Sequence, residues 1–172
     1  MIVVAAGVAA LALWMWVPVL ANAQVDGAEP HTRIALVSDV RTLQPGIPFT
    51  AGIVLTMDPG WHTYWKNPGE SGLATEVRWI VPEGFTVGET EWPLPEKKIE
   101  EGDVLTFGYG GETMLLATIT PPATALPGTA ADLRVEAEWL ECEKTCVPGS
   151  GRAALRLPVT GTRPMPANQQ LF

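Results

Sequence analysis

Apolar and polar residues alternate along much of this chain with a period of two. Phe49, Ala51, Ile53, Leu55 and Met57 fall at every second position, and so do Leu133, Val135, Ala137 and Trp139. That period belongs to a strand with one buried face, because successive side chains of a strand point to opposite sides. Further strands are expected over 33–40, 76–81, 104–109, 114–120 and 153–159. The run 114–120 is apolar on both faces, which predicts a central strand. Gly110-Gly111 predicts a tight hairpin between two of these runs, since glycine tolerates positive φ. Segment 84–103, rich in Glu and Pro and carrying Lys97-Lys98, predicts an irregular crossing. No stretch sustains a 3.6-residue period, and 16 prolines and 17 glycines keep the pieces short. Seven to nine short strands with turns between them predict an all-β, immunoglobulin-like β-sandwich, with a small barrel as the alternative.

The ends of the chain have a different composition. Residues 1–23 are uncharged and almost wholly apolar, and they close on Ala21-Asn22-Ala23, a small-x-small site for signal peptidase before Gln24. No basic residue precedes the run, and about 20 apolar residues also suffice for a membrane anchor. The organisation expected is a signal peptide or N-terminal anchor over 1–23, a leader over 24–31 and a sandwich domain over 32–160. Residues 161–172, which include RPMPANQQLF, read as a linker of the kind that leads to a further domain. Net charge is −8, with 19 acidic against 11 basic side chains. Nucleic-acid binding is excluded as a partner class, because it needs a basic footprint.

Candidate chemistry is concentrated in WLECEKTCVPG, 139–149, which holds both cysteines, Cys142 and Cys146. An exported chain meets an oxidising compartment, where such a pair forms a disulfide by default. Within one extended strand the two Cα atoms would be about 13 Å apart, whereas a disulfide needs about 4.4–6.8 Å. The segment must therefore turn, most simply as a hairpin with Glu143-Lys144-Thr145 as its loop. The parity of Leu133, Val135, Ala137 and Trp139 places Cys142 on the opposite face, away from the core and toward solvent or a covering loop. A ring of about five residues stabilises by only roughly 2 kcal/mol in the loop-entropy expression. Structural bridge and exchange pair both remain open on this geometry. No metal site is expected: two cysteines and two histidines, His31 and His62, do not supply a structural zinc set, and no spacing brings Met57 or Met114 to the thiolates for Cu(I). A hydrolase lacks support, since G-x-S-x-G is absent. A second aromatic group, Trp61, His62, Tyr64 and Trp65, precedes the Asn67-Pro68-Gly69 turn. It reads either as a structural corner or as a recognition surface beside the cysteines.

Three stretches in order, GWHTYWKNPGESGLATEVRW (60–79), FGYGGE (107–112) and WLECEKTCVPG (139–149), resemble the N-terminal periplasmic domain of the thiol:disulfide interchange protein DsbD, in particular its ScsB-like branch. The resemblance covers roughly residues 30–160. It implies an immunoglobulin-like domain in the periplasm and a protein-disulfide reductase component without a cofactor. It also implies that Cys142 and Cys146 are the exchange pair. A membrane-embedded DsbD-type domain, in the same or another chain, would reduce the pair. A periplasmic thioredoxin-fold protein, a disulfide isomerase or ScsC-like, would then take the electrons. On this resemblance Cys142 is expected to be the sulfur exposed to the partner and Cys146 to resolve. Phe107 and Tyr109 are expected as aromatic lids over the pair, with Gly108, Gly110 and Gly111 as hinges; an ordinary glycine-rich hairpin is the alternative. The family's own cysteine spacing is longer than the three residues here. The competing function is a non-catalytic binding module, chaperone-like or copper-stress related, with a structural disulfide.

Overall fold

Short runs of β-branched and alternating residues, most of them ended by Gly, Pro or Asp, leave the chain little choice but sheet. The computed structural model describes residues 30–100 and 102–172, and the signal peptide or anchor expected over 1–23 lies outside the described residues. Ten strands follow in chain order: β1 (Thr32–Ser38), β2 (Phe49–Met57), β3 (His62–Gly69), β4 (Glu76–Ile80), β5 (Thr86–Val87), β6 (Glu96–Glu100), β7 (Val104–Gly110), β8 (Glu112–Thr120), β9 (Ala130–Cys142) and β10 (Cys146–Pro158). They form two sheets, one ordered β1-β2-β8-β5 and the other β10-β9-β3-β7-β6, with β4 also pairing β9. The fold is therefore the expected all-β sandwich. No helix among the described residues is long and apolar enough to cross a membrane.

The period-two runs supply the core. Ile53, Leu55, Leu115, Ile119, Leu133 and Val135 are all at most 1% exposed and face one another between the sheets. Burying each such side chain contributes about 1.5–3 kcal/mol. As its pattern predicts, the 114–120 run is an interior strand, β8, with β2 on one side and β5 on the other.

Two expectations change. Gly110-Gly111 does not join a hairpin: β7 pairs β3 and β6 in one sheet, while β8 pairs β2 and β5 in the other. Gly111, at φ +67°, lets the chain turn sharply from one layer to the other. Period and turn chemistry are the same for a hairpin and for a layer-crossing corner, so the pattern does not separate them. Segment 84–103 is also more ordered than an irregular crossing, since it contributes β5 and the edge strand β6, which runs antiparallel to β7. The stretch read as a linker folds back along the chain beyond β1. Val40 bridges Pro166, the Arg41 N–H donates to the Met165 carbonyl at 2.7 Å, and Ala167 N–H donates to the Asp39 carbonyl at 2.7 Å.

Candidate functional site

β9 and β10 form the longest strand pair among the described residues, and their register carries Cys142 opposite Cys146 across the Glu143-Lys144-Thr145 loop. The two cysteines form a disulfide with Cα atoms 4.1 Å apart, so the hairpin expected from their spacing is the one found. Gly149 and Gly151 on β10 lie over the Trp139 indole, where a Cβ on either would collide with the ring. The hairpin thus owes its close approach to two residues without side chains.

Cys142 and Cys146 differ sharply in accessibility. Cys142 is only 3% exposed, whereas Cys146 is exposed. The expectation that Cys142 is the sulfur open to a partner is reversed. Parity does turn Cys142 off the core face, but that face is covered there. The cover comes from β3, which pairs Cys142 through His62. Alternation along β3 puts Thr63 inward, with Trp61 and Trp65 packed against the core on the same side, and His62 and Tyr64 outward beside the cysteines. The Tyr64 hydroxyl lies 3.3 Å from Cys142 Sγ and 4.0 Å from Cys146 Sγ. Burial, with Glu100 adding to it, raises the Tyr64 pKa above the usual tyrosine range. Its hydroxyl is placed to donate to negative charge that develops on either sulfur when the bond is broken.

Tyr64 is itself held down by the loop between β3 and β4. Thr75 Oγ1 donates to the Tyr64 carbonyl at 2.8 Å, and a side chain at Gly72 (φ +92°) would run into the Tyr64 ring. Replacing Tyr64 by Ala is expected to open Cys142 to solvent and speed reduction of the disulfide by dithiothreitol several-fold, since access limits exchange at a shielded sulfur. Stopped-flow tryptophan fluorescence would read that rate, and an unchanged rate would show that Tyr64 does not shield the bond.

Phe107 and Tyr109 do not cover the pair. Tyr109 pairs with Thr63 across β3 and β7, and directly opposed residues share a face, so Tyr109 points inward. It is 5% exposed in the core, and its hydroxyl donates to the Pro93 carbonyl at 2.8 Å. Burial pushes its pKa up to about 12. Phe107 shares that parity and meets Trp65 edge to face, with centroids 6.3 Å apart. The residues of FGYGGE that do face the cysteines are the glycines Gly108 and Gly110, opposite Tyr64 and His62. Within the other aromatic group, Trp61 stacks on His31 with centroids 3.6 Å apart. The His31 ring also reaches Asp58 at 3.3 Å, and Arg33 chiefly holds the Asp58 carboxyl below its usual range.

Two acidic residues complete the surroundings. Glu141, 2% exposed, continues the inward parity of Trp139 and is buried next to Cys142. Its Oε2 accepts from Trp139 Nε1 and its Oε1 from the His31 N–H, both at 3.0 Å. The sequence signal was its place in the apolar register, where a glutamate needs buried donors. Glu100 Oε1 stands 3.6 Å from His62 Nε2, too far for a hydrogen bond, and His62 Nε2 has no hydrogen-bond partner among the described residues. Burial first, then the positive charge of Lys98, lowers the His62 pKa below its usual value. A histidine with a depressed folded pKa contributes stability above its unfolded pKa of about 6.5 and loses it as pH falls through the folded value. The urea midpoint is therefore expected to fall between pH 7 and pH 5, and His62→Gln should flatten that decline. An equal slope in the variant would assign the acid sensitivity elsewhere.

Among the described residues no group of three or more His, Cys, Asp and Glu is placed to hold a metal ion. The chemistry on offer is that of one shielded and one open sulfur. No curated protein matches the chain. Its fold is similar to the N-terminal periplasmic domain of ScsB from Proteus mirabilis, with 21% identity over 74% of this chain and a TM-score of 0.51. The chain spans under half of that domain, 46% of its length. Also similar are the reduced DsbD N-terminal domain of Neisseria meningitidis, at 14% identity over 77% of this chain and 90% of that one, TM-score 0.40, and a complex between the DsbD N-terminal and PilB N-terminal domains of the same organism, at 14% identity over 69% and 80%, TM-score 0.38. Residues 35–158, which run from β1 to the last residue of β10 and so include the cysteine hairpin, match the family described as thiol:disulfide interchange protein DsbD, N-terminal, and the chain belongs to that family.

Proposed function

We propose that this domain relays electrons by thiol–disulfide exchange in the periplasm, taking them from a membrane-embedded DsbD-type domain and passing them to a periplasmic thioredoxin-fold protein. The observation that carries the reading is the asymmetry of the pair: Cys146 is exposed at a hairpin, while Cys142 is buried beneath Tyr64. In the reduced domain the Cys146 thiolate attacks a sulfur of the partner's disulfide, and the partner's other sulfur leaves as thiolate. The Cys142 thiolate then attacks Cys146 Sγ and expels the partner's first sulfur. Two electrons and two protons pass from the domain dithiol to the partner disulfide, leaving the Cys142–Cys146 bond and a partner dithiol. Tyr64 serves the second step, because its hydroxyl is beside the sulfur that must become nucleophilic. Family membership supports the exchange chemistry, and the similar ScsB domain is a periplasmic one.

The competing reading is a structural bridge in a binding module. Equilibration against dithiol–disulfide buffers decides between them. A relay pair is expected to have a reduction potential well above about −300 mV, the range below which structural disulfides of secreted proteins fall. Its reduced domain should also keep its urea midpoint close to that of the oxidised form. A potential below that range, or unfolding on reduction, would leave only the structural bridge.

A further inference from the structure

The backbone around Cys146 carries information beyond its sulfur. A Cβ on Gly108 would strike the Thr63 carbonyl oxygen, so Thr63 directs its backbone groups toward β7. His62, one residue away, must direct its own toward β9, onto its register partner Cys142. Cys142 therefore turns its N–H and C=O toward β3, away from β10, and Cys142–Cys146 is a non-hydrogen-bonded pair. The 4.1 Å Cα separation agrees, since such pairs lie near 4.5 Å and hydrogen-bonded ones near 5.5 Å. By the same alternation Cys146, Pro148 and Ser150 point their backbone groups away from β9. That side of β10 is the sheet's edge and pairs with no strand among the described residues. Cys146 and Ser150 offer both N–H and C=O there, while Pro148 offers only a carbonyl. Proline at an outward position lets an edge strand pair locally without becoming a template for continuous aggregation.

Beside this edge runs a row of like charges. Glu76 on β4 lies directly opposite Glu138 on β9, and Glu138 opposite Ser150 on β10. Carboxylates opposed across strands repel, and neither makes an ion pair among the described residues, because Arg78 and Arg152 both go to Glu136. The two glutamates line a cleft of about 580 Å³ with Leu73, Pro148 and Ser150, and Leu73 is 65% exposed. The next place in the row Glu76–Glu138–Ser150 is on that unpaired edge. Ser150 is small enough for a long cationic side chain to cross over it.

We infer that the redox partner docks by adding an extended, basic segment to the β10 edge. Its backbone pairs with Cys146 and Ser150, and a lysine or arginine opposite Ser150 reaches back to Glu138 and Glu76. The inference rests on the exchange reading and names the partner surface it uses. Strand addition supplies affinity through the main chain, and the cation supplies selectivity.

The test uses a short synthetic peptide with one cysteine activated by a chromogenic thiol. Lysine stands at the fourth residue on either side, matching the 146-to-150 spacing, and a second peptide carries glutamate there. Attack of the Cys146 thiolate forms the peptide mixed disulfide and releases the reporter thiolate, read by absorbance. The reduced protein is expected to react about tenfold faster with the lysine peptide at low salt, with the ratio shrinking as salt rises. Ser150→Pro removes one outward N–H at a position that tolerates proline, and should slow the lysine peptide while leaving the small activated disulfide unaffected. Glu76→Lys with Glu138→Lys should invert the peptide preference. Equal rates for both peptides, or a preference indifferent to these variants, would overturn the docking mode even though the small reagent reacts. Failure of the small reagent itself would instead bring down the exchange reading and the docking mode together.

Discussion

Cys146→Ser is expected to reduce exchange with an oxidised thioredoxin-fold protein by roughly three orders of magnitude or more, the scale of losing a covalent nucleophile. Cys142→Ser should behave differently. It keeps the exposed sulfur, so the first attack proceeds, and it removes the sulfur that completes the exchange. A mixed disulfide through Cys146 then accumulates and is visible as a reducible higher-mass species on a non-reducing gel. The asymmetry follows from placement. Cys146 is at an exposed hairpin position, while Cys142 is 3% exposed with Tyr64 Oη 3.3 Å from its sulfur. A nucleophile must reach its target in line, and Cys142 cannot do so without moving Tyr64 and the Gly72 loop that holds it. The opposite result, trapping by Cys146→Ser and none by Cys142→Ser, would show that the cover opens before the first attack. Tyr64→Phe separates the two steps further. The first attack should be unaffected, and the mixed disulfide should live longer, because the Cys142 thiolate loses its hydroxyl donor.

The sandwich and the cysteine hairpin were legible because both follow from local rules. Period two along β2 and β9 names the buried face residue by residue, and a three-residue gap between cysteines cannot close a disulfide without a turn. Two features of the site were not legible, for one physical reason. The lid expected of Phe107 and Tyr109 depended on which face of β7 meets the cysteines, and pairing sets that: Tyr109 lies opposite Thr63, not beside Cys142. The exposure of the two sulfurs likewise depends on β3 lying against β9 at Cys142. Parity gives the face of a residue, but only the neighbouring strand decides whether that face is covered. The common face of His62 and Tyr64, opposite Trp61 and Trp65, is legible because that separation is local. Their meeting with Cys142, about 80 residues later in the chain, is not.

Trp139→Ala is expected to be among the most damaging substitutions to stability, costing about 3–5 kcal/mol for the cavity alone. The Trp139 side chain is 4% exposed and lies beneath Gly149 and Gly151, which have nothing to refill the space. A second cost comes from its polar atom. Trp139 Nε1 donates to Glu141 Oε2 at 3.0 Å, and Glu141 is 2% exposed with the His31 N–H as its one other donor among the described residues. Stranding part of a buried carboxylate costs about 1–3 kcal/mol more, though the two terms overlap because both act at one site. Domains of this size have about 5–15 kcal/mol in total, so the variant stands near the edge of folding. Trp139→Phe separates the contributions: it retains most of the packing, loses the N–H, and should cost about 1–3 kcal/mol. Urea titration at constant m-value measures both. A Trp139→Ala cost below about 2 kcal/mol would mean that β10 collapses into the vacated space, and the hairpin would then be softer than two glycines packed on an indole suggest. The distinction reaches the chemistry, because Trp139 and Glu141 brace the strand that ends in Cys142. If that brace sets the position of the buried sulfur, Trp139→Phe should lengthen the life of the mixed disulfide at Cys146 while the first attack, made from the exposed side of the hairpin, stays at its normal rate.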